Sequence, residues 1–194
     1  MTCRSYCRVS ILLAVVLIAP AIVQAGEKTR RPDTWAVKLE QPGLPNLHKM
    51  NDGLYRGAQP TAEGIRSLEK MGVKTIVCLR SEYSDQEILR GSNLILEQVP
   101  TNAWNVNEDA IVRFLRVATD KSRQPVFVHC QYGADRTGTM CAAYRVVVEG
   151  WTKEEAVNEM TKGGYGFHPI WFNLPRLIEK LDVEKVRRRL GLAN

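Results

Sequence analysis

Hydrophobic positions along the chain follow two rhythms. Unbroken apolar runs rich in β-branched residues occur at 73–79 (VKTIVCL) and 126–129 (VFVH), with a weaker one at 94–99 (LILEQV). Short runs of this kind, bounded by turn residues, read as strands buried on both faces. Elsewhere the apolar residues recur at helical spacing. Ile65, Leu68 and Met71 form a stripe that opens after an N-cap at Thr61 and stops at Gly72. Ile111, Leu115 and Ala118 share one face of a helix predicted over 108–119. The stretch 137–149 is apolar almost all round, the pattern of a buried helix. Thr152 and Glu155 form a capping box for a helix through Thr161. A Gly-rich loop follows at 162–166, then helices at 170–181 and 183–190. Residues 83–90 are predicted as a short helix ended by Gly91. Asn51-Asp52-Gly53, between 46–50 and 54–58, is a hairpin signal. Strands alternating with helices predict an α/β fold, a sheet with helices on its faces.

The N-terminus stands outside this scheme. Arg4 and Arg8 precede an apolar run from Ile11 to Val23, and Val23-Gln24-Ala25 offers small residues for cleavage. This is the pattern of a secretory signal peptide. The run is short for a bilayer span and contains Pro20, so an uncleaved anchor fits less well. The organisation expected is a leader over 1–25, a polar, extended segment over 26–45 and one domain over 46–194. The protein is then periplasmic or secreted, with no stable membrane span after cleavage.

Composition narrows the picture further. Of 194 residues, 44% are hydrophobic and 25% charged, which excludes a disordered chain. A net charge of +6 tolerates an anionic substrate, but no Lys/Arg tract interleaved with aromatics points to nucleic acid. The run Arg187-Arg188-Arg189 suits the end of a helix, where the dipole favours cations. Beyond the leader three cysteines remain, Cys78, Cys130 and Cys141. An odd number excludes a full disulfide framework and leaves at least one free thiol. Cys141, within an apolar helix, reads as core.

The candidate chemistry lies where the 126–129 strand ends, in VFVHCQYGADRTG. A strand feeding a tight loop and then a helix N-terminus aims several backbone N–H groups and a positive dipole at one point, a nest for an oxyanion. Cys130 sits under that nest, and the field that binds an anion also stabilises a thiolate. Gln131, Tyr132, Gly133 and Ala134 supply the loop amides that would bind substrate, and Gly133 permits a backbone conformation closed to other residues. The Arg136 guanidinium fork matches two phosphoryl oxygens. Thr137 places a hydroxyl near the sulfur, Gly138 lets the helix start pack closely against the sheet, and His129 is expected to be buried and to hold the loop. The reaction implied is two-step phosphomonoester hydrolysis through a phosphocysteine, with neither metal nor cofactor.

The pattern His129-Cys130-x5-Arg136-Thr137-Gly138 resembles the signature of the cysteine-dependent tyrosine and dual-specificity phosphatase superfamily. LYRGAQP (54–60), YRVVVEGWTKEEAVNEM (144–160) and GGYGF (163–167) are similar to segments of its small bacterial members, so the resemblance spans roughly 46–181. It implies a mixed sheet of four or five strands between helices, and a phosphotyrosine-bearing protein or small aryl phosphate as substrate. No base lies between Cys130 and Arg136, which disfavours highly phosphorylated inositols.

One departure concerns the proton donor for the leaving group. Relatives carry an Asp in the loop corresponding to 100–107, but PTNAWNVN has no carboxylate. Asp135, inside the phosphate loop, is the expected general acid, by resemblance to myotubularin-type enzymes; the alternative is that it pairs with a nearby base or caps the helix. Asp109 is the reserve, although it and Glu108 open a helix where acidic residues are favoured anyway. Some relatives pair a second cysteine with the nucleophile, a role open to Cys78, for which core packing is the better reading. His48 and His168 read as isolated loop residues that assemble no metal set. Trp104 either lines the pocket mouth or packs; Trp35, Trp151 and Trp171 read as packing. Phosphoserine and phosphothreonine stay open as further substrates, and the alternatives are a phosphoinositide or small-molecule phosphatase, an enzyme of sulfur transfer or arsenate reduction, and a phospho-binding module with little turnover.

Overall fold

The computed structural model describes Met1 and residues 31–192, so the predicted leader lies, but for Met1, outside the described residues. Six strands, β1 (Val37–Lys38), β2 (His48–Asn51), β3 (Leu54–Gly57), β4 (Thr75–Arg80), β5 (Ile95–Thr101) and β6 (Val126–His129), form one sheet in the order β1-β2-β3-β6-β4-β5. The first three run antiparallel, and β3, β6, β4 and β5 run parallel. The mixed sheet is as predicted, with six strands in place of four or five. The addition is β1, where Val37 and Lys38 pair with Lys49 and His48 inside the segment expected to be a separate lead-in.

The unbroken apolar runs have the cause predicted for them. Along β6 and β4 successive side chains point to opposite faces, and both faces are covered. Phe127 and Ile76 pack with Leu44, Leu47, Ile65 and Leu68 beneath helix α1 (Ala62–Lys70). Val126, Val128, Val77 and Leu79 face the larger core built by α2 (Glu108–Thr119), α3 (Asp135–Val147), α4 (Lys153–Lys162), α5 (Asn173–Glu179) and α6 (Val183–Leu190). Helix α3 is central and almost wholly buried. Thr61, Asn107 and Asp182 cap α1, α2 and α6, and the Thr152–Glu155 capping box opens α4.

Residues 83–90 are not helical; the chain runs through turns there. Asp85 explains it. Its carboxylate is fully buried and bonded to His129 and Gln59, which fixes the segment by tertiary contact against its local preference. His48 is likewise not a loop residue: it lies on β2, buried edge-on against the Tyr165 ring, and burial pushes its imidazole down to about 4.

Candidate active site

The stretch 130–136 joins the end of β6 to α3, at the carboxyl end of the parallel strands. Its shape is set by donors outside it. Gln59 N–H reaches the Gln131 carbonyl at 3.2 Å, Asn46 Nδ2 the Tyr132 carbonyl at 2.9 Å, and Arg56 Nη2 the Gly133 carbonyl at 2.8 Å. His129 Nδ1 lies 3.2 Å from the Cys130 carbonyl. Four successive carbonyls are thereby held outward, which leaves the loop amides free for an anion. Gly133 has φ +69°, and a Cβ there would lie 2.4 Å from the Gly57 backbone. The loop therefore rests directly on the strand end, and no larger residue fits.

This geometry explains the LYRGAQP segment. Arg56 and Gln59 hold loop carbonyls, Gly57 lies under the loop, and the Gln59 side chain bridges Arg80 and Asp85. Arg56 is buried, its Nε has no hydrogen-bond partner among the described residues, and its guanidinium stacks 3.6 Å from the centre of the Tyr165 ring. A charge-assisted hydrogen bond of this type contributes about 1.5–3 kcal/mol. Arg56→Met is therefore expected to weaken vanadate inhibition by about tenfold to a hundredfold, measured by titration against an aryl phosphate.

Cys130 is buried at the base of a cleft of about 450 Å³ whose wall also carries Arg136 and Asp135. The Arg136 guanidinium makes one hydrogen bond, Nη1 to the Thr101 carbonyl at 3.1 Å, and has no carboxylate partner among the described residues. The Thr137 hydroxyl is buried with no hydrogen-bond partner among the described residues, as suits a donor whose acceptor is the sulfur or a bound oxyanion. At Gly138 a Cβ would meet Met160 of α4 at 3.1 Å and the Arg56 side chain of β3 at 3.8 Å, so the helix start packs closely on both.

Behind the sulfur stands a network that sequence reasoning missed. His129 Nε2 lies 2.7 Å from Asp85 Oδ2, both side chains fully buried. Burial alone would push the Asp85 carboxyl up; bonds from His129, Gln59 and Cys78 outweigh it and hold it below its ordinary value. With a carboxylate at Nε2 and a carbonyl at Nδ1, the ring is clamped at both ends. Cys78 is directly opposite His129 in the parallel register, so strand alternation directs it to the same face as His129 and not to that of Cys130. Burial pushes its thiol up to about 12, and Cys78, Cys130 and Cys141 form no disulfide among the described residues. Cys78, Asp85 and His129 bring sulfur, oxygen and nitrogen within 4.8 Å of one another, but their hydrogen bonds to each other and to Gln59 already account for the cluster.

The acid candidates separate clearly. Asp109 is exposed and paired with Arg189 at 2.6 Å, and Glu108 with Lys185 and Arg189, so both tie α2 to α6 and neither lines the cleft. Asp135 does line it, and both its oxygens meet His168: Oδ1 accepts the backbone N–H at 2.8 Å and Oδ2 lies 2.9 Å from the ring Nδ1. His168 is thus no isolated residue but part of the cleft wall. Trp104 is exposed at the mouth, and Trp171, read as packing, also lines the cleft.

A family model described as "DSP-PTPase phosphatase fused to NAD+ Kinase" matches residues 38–169. The dual specificity protein phosphatase TpbA of Pseudomonas aeruginosa is 32% identical over 184 residues, 94% of this chain and 82% of that protein. Its crystal structure superposes with a TM-score of 0.74 at 33% identity, over 84% of this chain and 99% of that one. A Cys-to-Ser form of the same protein, solved in complex with pTyr, gives a TM-score of 0.74 at 31% identity, over 83% and 98%.

Proposed function

The chain belongs to the cysteine-based dual-specificity phosphatase family, and from that premise we propose that it hydrolyses phosphotyrosine, in proteins or as a small aryl phosphate, without a metal. The observation that carries the reading is the pair formed by a buried cysteine at the base of the loop and an arginine with no carboxylate partner beside it. Cys130 attacks phosphorus in line and the aryl oxygen departs. The loop amides and Arg136 hold the equatorial oxygens as charge builds on them. Water then cleaves the phosphocysteine.

Two features favour an aryl phosphate. The sulfur is recessed, so the phosphate must arrive on an extended arm. The walls and mouth carry Trp104, Tyr132 and Trp171, faces on which a phenyl ring can stack. Three intact features, Cys130, Arg136 and Thr137, speak against a binding module without turnover. The apolar run and small residues before Gly26 support export to the periplasm or beyond.

The test is turnover of a phosphotyrosine peptide, with phosphoserine and phosphothreonine versions of the same peptide, in excess EDTA. Phosphate release from the phosphotyrosine peptide, blocked by micromolar vanadate, is expected. Activity that disappears with EDTA and returns with a divalent ion would overturn the reading.

A further inference from the structure

We propose that His168 is the residue that protonates the leaving oxygen, with Asp135 holding it in position; the inference rests on the phosphatase reading above. Three observations carry it. The loop 100–107 offers no carboxylate, and Asp109 and Glu108 are committed to α6. Both oxygens of the Asp135 carboxyl are committed to His168, Oδ1 accepting its backbone N–H and Oδ2 lying against its ring Nδ1, so Asp135 is turned to that residue and not to a leaving group. His168 itself lines the cleft that holds Cys130 and Arg136, with its side chain half exposed. Its Nδ1 is taken by Asp135, and its other nitrogen, Nε2, has no partner among the described residues. A ring anchored at one nitrogen by a carboxylate presents the other for proton transfer.

The charged and titratable groups around this ring are few. Asp135 and Arg136 face it from the start of α3, Cys130 and Tyr132 from the phosphate loop, the Tyr132 ring edge-on at 6.0 Å. Arg80, the last residue of β4, and Glu82, just beyond it, also line the cleft. The segment that follows His168, Pro169–Trp171, carries no charge.

The proton balance is simple. As the Cys130 Sγ–P bond forms and the P–O bond to the aryl group breaks, the departing oxygen keeps the electron pair and takes the Nε2 proton of the imidazolium. In the second step a water oxygen bonds to phosphorus, the S–P bond breaks with its pair returning to sulfur, and the proton lost by water goes to Nε2. The ring ends as it began. Asp135 keeps its hold on Nδ1 throughout.

A positioned acid matters in proportion to how poor the leaving group is. In a series of aryl phosphates, His168→Asn is expected to lower kcat/KM for phenyl phosphate and phosphotyrosine by about a hundredfold, and for 2,4-dinitrophenyl phosphate by less than about threefold. The dependence of log kcat/KM on leaving-group basicity therefore steepens, while vanadate inhibition holds. Asp135→Asn, which removes the anchor but not the ring, is expected to steepen the dependence in the same direction and by less. Wild-type turnover across the series carries the functional reading; the change of slope carries this one. An equal loss on every substrate, no loss on any, or a steeper slope from Glu82→Gln in place of His168→Asn would each overturn the proposal.

Discussion

Cys130→Ser is expected to abolish turnover of every aryl phosphate, by a factor on the order of 10^4 or more, while leaving vanadate and phosphotyrosine peptide bound. The two halves of that result have separate physical sources. Attack on phosphorus needs a strong nucleophile, and a serine hydroxyl is a far weaker one than cysteine sulfur. Anion binding needs the loop amides and Arg136, and these depend on the carbonyl-holding contacts of Gln59, Asn46 and Arg56, none of which involves the sulfur. Serine is also the smaller, isosteric choice at a buried position, so the loop has no reason to rearrange. Acid quenching during turnover should trap a phosphocysteine in the wild type and none in the variant. A variant retaining a tenth of wild-type activity would mean that the sulfur is not the nucleophile.

Arg145→Met is expected to be the most damaging single change to stability. Arg145 and Glu159 are both buried, joined by Nε–Oε2 at 2.7 Å and Nη2–Oε1 at 2.9 Å. Arg145 also reaches Glu149 at 2.5 Å, and Glu159 takes the Ala36 N–H at 2.7 Å and the Tyr165 hydroxyl at 3.0 Å. Removing one partner of a buried pair costs about 3–5 kcal/mol, because the other keeps its desolvation penalty without its compensation. For a chain of this size that is a fall in Tm of roughly 10 °C.

The pH dependence gives the prediction its signature. Burial pushes the Glu159 carboxyl up, but the bonds and charge of Arg145, with Ala36 and Tyr165, hold it below the ordinary glutamate value. A depressed carboxyl adds stability above its unfolded value, about 4.3, and loses it as pH falls through the lower folded value. In Arg145→Met the carboxyl lacks its cation and gains by protonation. The stability gap between wild type and variant should therefore be widest near neutrality and narrow below about pH 4. Urea titrations at pH 7 and pH 4 measure it; a gap that is the same at both would show that the pair's charge contributes nothing.

Contiguity decided how much was legible in advance. The 126–129 strand and the 108–119 and 183–190 helices appear with the bounds expected, because local pattern governs them: a β-branched run for the strand, the stripe of Ile111, Leu115 and Ala118 for the first helix, and the cationic end at 187–189 for the second. The loop between β6 and α3 is readable as a candidate site for the same reason, since its cysteine, arginine and turn residues follow one another without a break. Its supports are not contiguous. Asp85 meets His129 across 44 positions, Arg56 meets Gly133 across 77, and His168 meets Asp135 across 33. Nothing in the spacing of such residues announces their meeting; only the sheet order and the turns do. The misread 83–90 segment and the misread His48 and His168 share this origin. Each was judged by its neighbours in sequence, and each is governed by a partner far away.

The strand pairing of Val37 with Lys49 carries a practical lesson about where this enzyme starts. Thr34 and Ala36 hand a carbonyl and an amide to Arg145 and Glu159, and Arg31 reaches the Gly163 carbonyl and the Tyr165 hydroxyl. Tyr165 in turn floors Arg56, which grips the phosphate loop. Trimming the polypeptide at residue 46, the border that its residue pattern recommends, would strip the outermost ribbon from the sheet and two partners from a buried ion pair, so a catalytically sound fragment has to begin upstream of Arg31.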